Sequence, residues 1–449
     1  MRRATFFGVT GIVVLASACN LITGLDGYEK VDSNGGGSGL GGSGTGGSGG
    51  APPVLAQITD VTAGPTATCI VTADQQGYCW GRYPGREGLS FSLTPVRIDV
   101  TGKVLSIVIG ANHRCAQVGE VDADGTKLQT ELWCWGDNDR GQLGEDSGAT
   151  SLRPVKVQGV DSLVFDRWSA GHSHVCAAES TGEGRIFCWG ANNWGQAGTG
   201  DGMDVPVPTV VPVPESGAGG GGTGGGAPAS GSWNGILSAG SYHTCAIVNR
   251  DTVQETYCWG RNDRGQLARD PADMSMALEP TYVDDSQAIL DTFGHFDRVF
   301  AGGEHTCARA EAEEKPVYCW GANQYGQLGD GTTSMFRAAP KRVSLGEINS
   351  IHIGARHTCA SFGEATTFSV QCWGANDVGQ IDVEATDYQA SPAPIMFSGP
   401  VSMAVQKGDH SCAKKADGGL WCWGANESGQ LGTGATSAFE RTPQLVYMP

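Results

Sequence analysis

The sequence predicts an all-β fold: a seven-bladed β-propeller of four-stranded antiparallel blades, with one disulfide per blade. Three observations lead there. The string Cys-Trp-Gly occurs seven times, at Cys79, Cys134, Cys188, Cys258, Cys319, Cys372 and Cys422, with intervals of 50 to 70 residues between the tryptophans. A second cysteine precedes each string at a short distance. The 449-residue chain also holds 70 glycines and only 17% charged residues, arranged as short apolar stretches between Gly- and Asn-rich runs, with no long run of helical spacing. Self-similarity at this period marks a stacked or radial array.

Each repeat divides into four strands. In the fourth repeat these are expected at 236–239, 243–248, 256–259 and 280–283, joined by turns whose positive φ suits Gly and Asn. Four-stranded units repeated radially bury their sheet edges by closing a ring. The recurring Trp is too regular to mark a site and reads as packing between blades. Closure is expected to involve Pro443-Gln444-Leu445-Val446 pairing with blade one.

Of the 15 cysteines, Cys19 stands apart near the N-terminus. The other fourteen fall two to a repeat: Cys69/Cys79, Cys115/Cys134, Cys176/Cys188, Cys245/Cys258, Cys307/Cys319, Cys359/Cys372 and Cys412/Cys422. The members of each pair fall on neighbouring antiparallel strands, within disulfide reach. Paired usage of this kind suits an oxidising compartment. The alternatives are buried free thiols and metal binding by Cys and His. Zinc needs four convergent ligands with close paired spacings, which no repeat has, so no metal and no cofactor are expected.

Six repeats continue as Trp-Gly-x-Asn-x-x-Gly-Gln, as in Trp189 to Gln196 and Trp320 to Gln327. Ahead of each Cys-Trp-Gly lies a string such as Ala239-Gly240-Ser241-Tyr242-His243-Thr244-Cys245. Together these strings resemble the regulator-of-chromosome-condensation repeat, over about residues 54–449. The resemblance implies a seven-bladed propeller. The paired cysteines depart from that family's pattern, which has apolar or hydroxyl residues at both places. Blade one departs too: Thr66-Ala67-Thr68-Cys69 lacks the histidine, and Trp80-Gly81-Arg82-Tyr83-Pro84-Gly85 lacks the Asn and Gln.

The N-terminus reads as an export signal. Arg2 and Arg3 precede an apolar stretch over 6–18, too short to span a bilayer, which takes roughly 20 apolar residues. Leu15-Ala16-Ser17-Ala18-Cys19 resembles the bacterial lipobox, with Ala16 where leucine is strongest. This implies cleavage after residue 18 and an acylated Cys19 holding the chain on a membrane. The alternative is an ordinary signal cut at the same place. Residues 19–53, ending in a Gly/Ser run, form a flexible tether. A second Gly/Pro-rich segment, 202–231, reads as an insertion before blade four.

Without Arg2 and Arg3 the balance is 27 basic against 47 acidic residues. Such a surface repels phosphate backbones, so nucleic acid is not an expected partner. His113, His174, His243, His305, His357 and His410 occupy one repeat position, as do the glutamines Gln142, Gln196, Gln266, Gln327, Gln380 and Gln430. Equivalent copies point to turn hydrogen bonding and not to catalysis. No Gly-x-Ser-x-Gly elbow between a strand and a helix and no phosphate loop ending in Lys-Ser/Thr is present; 35–50, whose Gly/Ser run contains that string at 46–50, and 217–226 are linkers.

Residues that vary at equivalent turn positions are better binding candidates, because the fold does not dictate them: Arg140, Trp194, Arg264 and Tyr325. The expectation is a monomeric, non-enzymatic, lipid-anchored cell-envelope protein, at the outer membrane or cell surface, that recognises a protein or polysaccharide through propeller loops. The alternatives are a nucleotide-exchange regulator, which the family resemblance implies, and a propeller glycoside hydrolase.

Overall fold

In the computed structural model, the described residues are 57–82, 91–122, 127–161, 163–180, 184–214, 232–250, 253–283, 295–363, 369–381, 386–396, 401–404, 407–415 and 418–448. The segments expected to be an export signal and a tether, with Cys19, lie outside them, as does 215–231.

Twenty-eight described strands form seven antiparallel sheets of four, and each sheet uses four strands consecutive in sequence. Blade four, for example, runs Ser232–Ala239, His243–Arg250, Val253–Arg261 and Met276–Tyr282. The first strands of neighbouring blades touch and so line the axis, while the fourth strands form the periphery. Burial follows this order. The second strands Ala67–Thr72 and His174–Glu179 are buried throughout, whereas the fourth strand Phe336–Arg342 is largely accessible.

Closure differs from the expectation. The last strand, Phe439–Leu445, pairs with the third strand of its own blade, Cys422 opposite Gln444, and not with blade one. Blade one already has four consecutive strands of its own, including Phe91–Arg97, so no strand position is left for an exchanged strand. Side chains close the ring instead. Val446 packs with Ile58, Ile70 and Trp80 of blade one. His410 meets Thr68 at 2.8 Å, and Trp80 donates to the Gln430 carbonyl at 2.8 Å.

The start of the 202–231 segment is also corrected. Val205–Val211 is the fourth strand of blade three, and its Pro208-Thr209-Val210-Val211 repeats the Pro-x-x-Val signature seen at 280–283 and 443–446.

That signature has a geometric cause. Between the third and fourth strands the register slips: Cys258 faces Thr281 but Gly260 faces Ala277, so four outer residues span two inner ones. Pro280 sits in the bulge, where an outer strand tolerates a residue without an N–H. Prolines 95, 154, 208, 340, 392 and 443 stand at the same place in the other blades. The glycine of Cys-Trp-Gly is required on the other side of the bulge. Gly260 has φ +105°, and a Cβ there would lie 2.5 Å from the Tyr242 carbonyl oxygen.

All seven expected disulfides form, each joining directly opposed residues of the second and third strands with Cα atoms 4.1 Å apart. Every half-cystine is buried.

Candidate functional site

The repeated histidines build the seams between blades. His243 Nε2 lies 2.9 Å from Thr306 Oγ1 of the next blade. Thr306 donates back to the Gln266 carbonyl at 2.9 Å, which also accepts from Trp320 Nε1 at 3.0 Å. Because the hydroxyl proton is committed to that carbonyl, the imidazole proton sits on Nε2. The same relay runs from His174 to Thr244, His305 to Thr358, His357 to Ser411 and His410 to Thr68. Burial holds His243, His305 and His357 at about 3 and His410 at about 4, so these rings are neutral and structural.

His113 breaks the pattern. Val175 stands where the receiving hydroxyl belongs, and both ring nitrogens of this buried side chain lack a partner. Val175→Thr should therefore stabilise the protein by about 1 kcal/mol, read as a higher urea midpoint; an unchanged or lower midpoint would contradict the relay.

One residue crosses the ring. The position three before the histidine is glycine in six blades (Gly64, Gly110, Gly171, Gly240, Gly302 and Gly354) and Lys407 in the seventh, at φ +48°. Its amine donates to Ser169 Oγ at 3.2 Å and to the Ala170 carbonyl of blade three. Burial lowers it to about 7.

The four candidate residues all lie in loops between third and fourth strands, so the antiparallel order puts them on one face, together with the Gly-x-x-His turns. Two of them enter clusters that cross blade boundaries. The Arg261 guanidinium lies over Trp194 at 5.1 Å and Tyr242 at 5.5 Å, and pairs with Asp263 at 2.5 Å and Glu304 at 3.2 Å. Tyr242 in turn meets the His172 ring at 5.1 Å. Next along the ring, Arg356 lies over Tyr325 at 5.0 Å and pairs with both Asp377 and Asp409 at 2.9 Å. Burial opposes the Arg356 charge, but the two carboxylates outweigh it and raise its pKa. Asp377 is likewise lowered by Arg356 and Gln380 against its own burial.

Arg140 is exposed and pairs with Asp204 at 3.0 Å across the blade two–three seam, a contact that adds little stability. Arg264 joins neither cluster; its backbone N–H donates to Gln266 Oε1. Sequence reasoning missed Tyr242, Arg261, Glu304, Arg356, Asp377 and Asp409. Their signal was present: most vary at the residue before the histidine or after Trp-Gly, as freely as the Asn-x-x-Gly positions do.

The same face carries apolar residues at its rim, where fourth strands begin: Met276, Tyr388 and Phe439 are exposed, and Phe91 and Phe336 partly so. Among the described residues no group of three or more His, Cys, Asp or Glu is placed to hold a metal ion.

Fold and face together define a repeat-built β-propeller that displays loops differing between blades on a repeated frame. The chain belongs to the family of the regulator of chromosome condensation (RCC1) repeat, whose models match residues 131–178, 183–219, 255–309 and 316–361, and in a second form 237–266, 296–327 and 404–430. It is 27% identical to the ultraviolet-B receptor UVR8 of Arabidopsis thaliana over 298 residues, 66% of this chain and 58% of the receptor. It is 26% identical to the probable E3 ubiquitin-protein ligase HERC6 of Homo sapiens over 262 residues, 57% of this chain and 23% of the ligase. The match thus spans less than two thirds of either relative. Among solved structures, Prp20p of Saccharomyces cerevisiae, described with its binding to Gsp1p and histones, superposes with a TM-score of 0.65 at 18% identity, covering 88% of each chain. Human WBSCR16 gives 0.63 at 20% identity, covering 82% of this chain and 89% of its own. At these identities the likeness is one of fold.

Proposed function

We propose that this protein is a non-catalytic recognition module, exported and held on a cell-envelope membrane through Cys19, that binds a protein partner with the face bearing the Gly-x-x-His turns. The observation that carries this reading is the pair of cross-blade clusters around Arg261 and Arg356. Their residues vary between repeats, yet they converge across seams that the fold keeps rigid. Pre-ordered Arg and aromatic side chains bordered by exposed apolar residues are the composition of protein-binding hot spots. Each of these two guanidiniums is already paired with carboxylates, so the clusters offer no net positive charge to a nucleic acid. The protein binding described for Prp20p supports a macromolecular partner of the same broad kind.

Photo-crosslinking tests the proposal. A crosslinker placed at position 194 or 325 of the full-length exported protein should capture one and the same protein, and a crosslinker at Gln254, on the opposite face, should not. Arg356→Ala should weaken that complex at least tenfold, the equivalent of about 1.4 kcal/mol. Equal capture from both faces, or none, would refute the proposed face. Loss of acyl labelling in Cys19→Ser, with release of the protein from membranes, tests the anchor.

A further inference from the structure

The outer strand of every blade begins opposite the residue that follows Trp-Gly. The cross-strand pairs at this place are Arg82 with Phe91, Arg261 with Met276, Ala322 with Phe336, Ala375 with Tyr388 and Ala425 with Phe439. In blades two and three the equivalent residues are Thr150 and Asp204, each just before the residue that faces the Trp-Gly glycine. The frame therefore does not require an apolar side chain here. Blade seven abuts blade one, so the five apolar copies occupy consecutive blades, four to seven and then one, and form a single arc. Met276, Tyr388 and Phe439 are 39–48% exposed, and Phe91 and Phe336 partly so. Apolar side chains that packing does not demand, left in water on consecutive blades, mark a surface that another molecule covers.

The arc is continuous with both arginine clusters. Met276 is the cross-strand neighbour of Arg261. Arg441 lies over the Phe439 ring at 5.2 Å and donates to the Asn376 and Asp377 carbonyls, and Asp377 pairs with Arg356. Interface cores favour aromatic, Met and Arg side chains, and the unbranched Met thioether adapts to an irregular partner surface. The two blades that interrupt the arc are acidic instead. Their turns 137–150 and 191–204 hold six carboxylates and one guanidinium, that of Arg140, which is paired with Asp204. Asp139, Asp146 and Asp201 are exposed there.

We propose that this face docks a protein segment with an apolar side and a cationic flank. The apolar residues of the segment lie along the rim of blades four to one, and its lysines or arginines stand over blades two and three. This inference rests on the partner-binding reading and adds the chemistry and the orientation of the partner. A bilayer is the poorer occupant, because the acidic blades repel anionic headgroups. The two halves of the surface do different work. Charge acts at a distance and sets the association rate, whereas buried apolar contact sets the dissociation rate.

The test uses the full chain carrying Cys19→Ser, which takes no acyl group. It is titrated with a labelled model helix bearing leucines on one side and lysines on the other. A leucine/glutamate helix and phosphatidylglycerol vesicles serve as controls. Stopped-flow fluorescence should show saturable binding of the leucine/lysine helix alone. Met276→Ser, Tyr388→Ser and Phe439→Ser together should raise its dissociation rate at least tenfold and barely alter association. Asp139→Asn, Asp146→Asn and Asp201→Asn together should slow association at least threefold and flatten its salt dependence. Leu445→Ser, at the far end of the Phe439 strand and likewise exposed, should change neither rate. Native near-ultraviolet circular dichroism establishes that each variant is folded. No binding of the leucine/lysine helix, equal binding of its glutamate counterpart, or binding of the vesicles would overturn the proposal. So would unchanged dissociation in the rim variant or an equal effect of Leu445→Ser. If the model helix fails while crosslinkers at 194 and 325 still capture a partner, the partner chemistry falls and the face stands; if the crosslinkers capture nothing, the face itself falls.

Discussion

Reduction of the disulfides should abolish the fold. Each bridge closes a loop between residues 10 to 19 positions apart, which constrains the unfolded chain by about 3 kcal/mol. The seven loops do not overlap, so their contributions add to roughly 20 kcal/mol, more than the ~5–15 kcal/mol of net stability usual for a native protein. Because every sulfur is buried, reductant alone should act slowly, and denaturant is needed to expose the bridges. The expected result is that the reduced, alkylated chain, returned to buffer, lacks near-ultraviolet circular dichroism, whereas the oxidised chain regains it. Removing a single pair, Cys245→Ala with Cys258→Ala, should cost about 3 kcal/mol, read from urea denaturation. A reduced chain that melts cooperatively within a few degrees of the native one would show that packing alone suffices.

The second large effect is expected at Lys407. In the unfolded chain its amine titrates near 10.5, and in the folded chain at about 7, because burial disfavours the charge. Between those values the unfolded state binds a proton that the native state does not. Stability is therefore full above 10.5, falls as the pH drops towards 7, and stays at the lower level below. The loss approaches about 5 kcal/mol as an upper bound. The titratable groups facing the amine are His113, His174 and His243, with His172 next to them. All are held below their ordinary range by burial, so none titrates in this window.

Lys407→Gly restores the residue of the other six blades and relieves a left-handed φ, at the cost of the hydrogen bonds to Ser169 and Ala170, about 1 kcal/mol each. The variant should be more stable than the native protein by several kcal/mol at pH 6 and nearly equal to it at pH 10. Urea midpoints at the two pH values measure this. A variant less stable at pH 6 would mean that the cross-ring contacts outweigh the desolvation.

Much of the frame was legible in the chain because it is repeated. Seven copies of Cys-Trp-Gly, with a second cysteine a short way upstream, specify opposed positions on adjacent antiparallel strands, and local pairing needs no distant information. Trp259 and His243 read correctly as structural for the same reason: side chains that recur at equal spacing serve contacts that recur. Where a repeat was irregular the reading failed. The Val-Pro run at 205–211 reads as part of an insertion because poly-Gly follows it directly, and Pro443 reads as a closing strand because it ends the chain, although its local pairing is that of the other blades.

Repetition along the chain thus settled blade number, strand order and sulfur pairing, all of which depend on residues close in sequence. The meeting of Trp194 with Arg261, of Tyr325 with Arg356, and of Lys407 with Ala170 depends on ring curvature, which brings together loops 31 to 237 residues apart. The apolar arc arises the same way: Phe91 joins Phe439 on one rim only because the ring closes between blades seven and one.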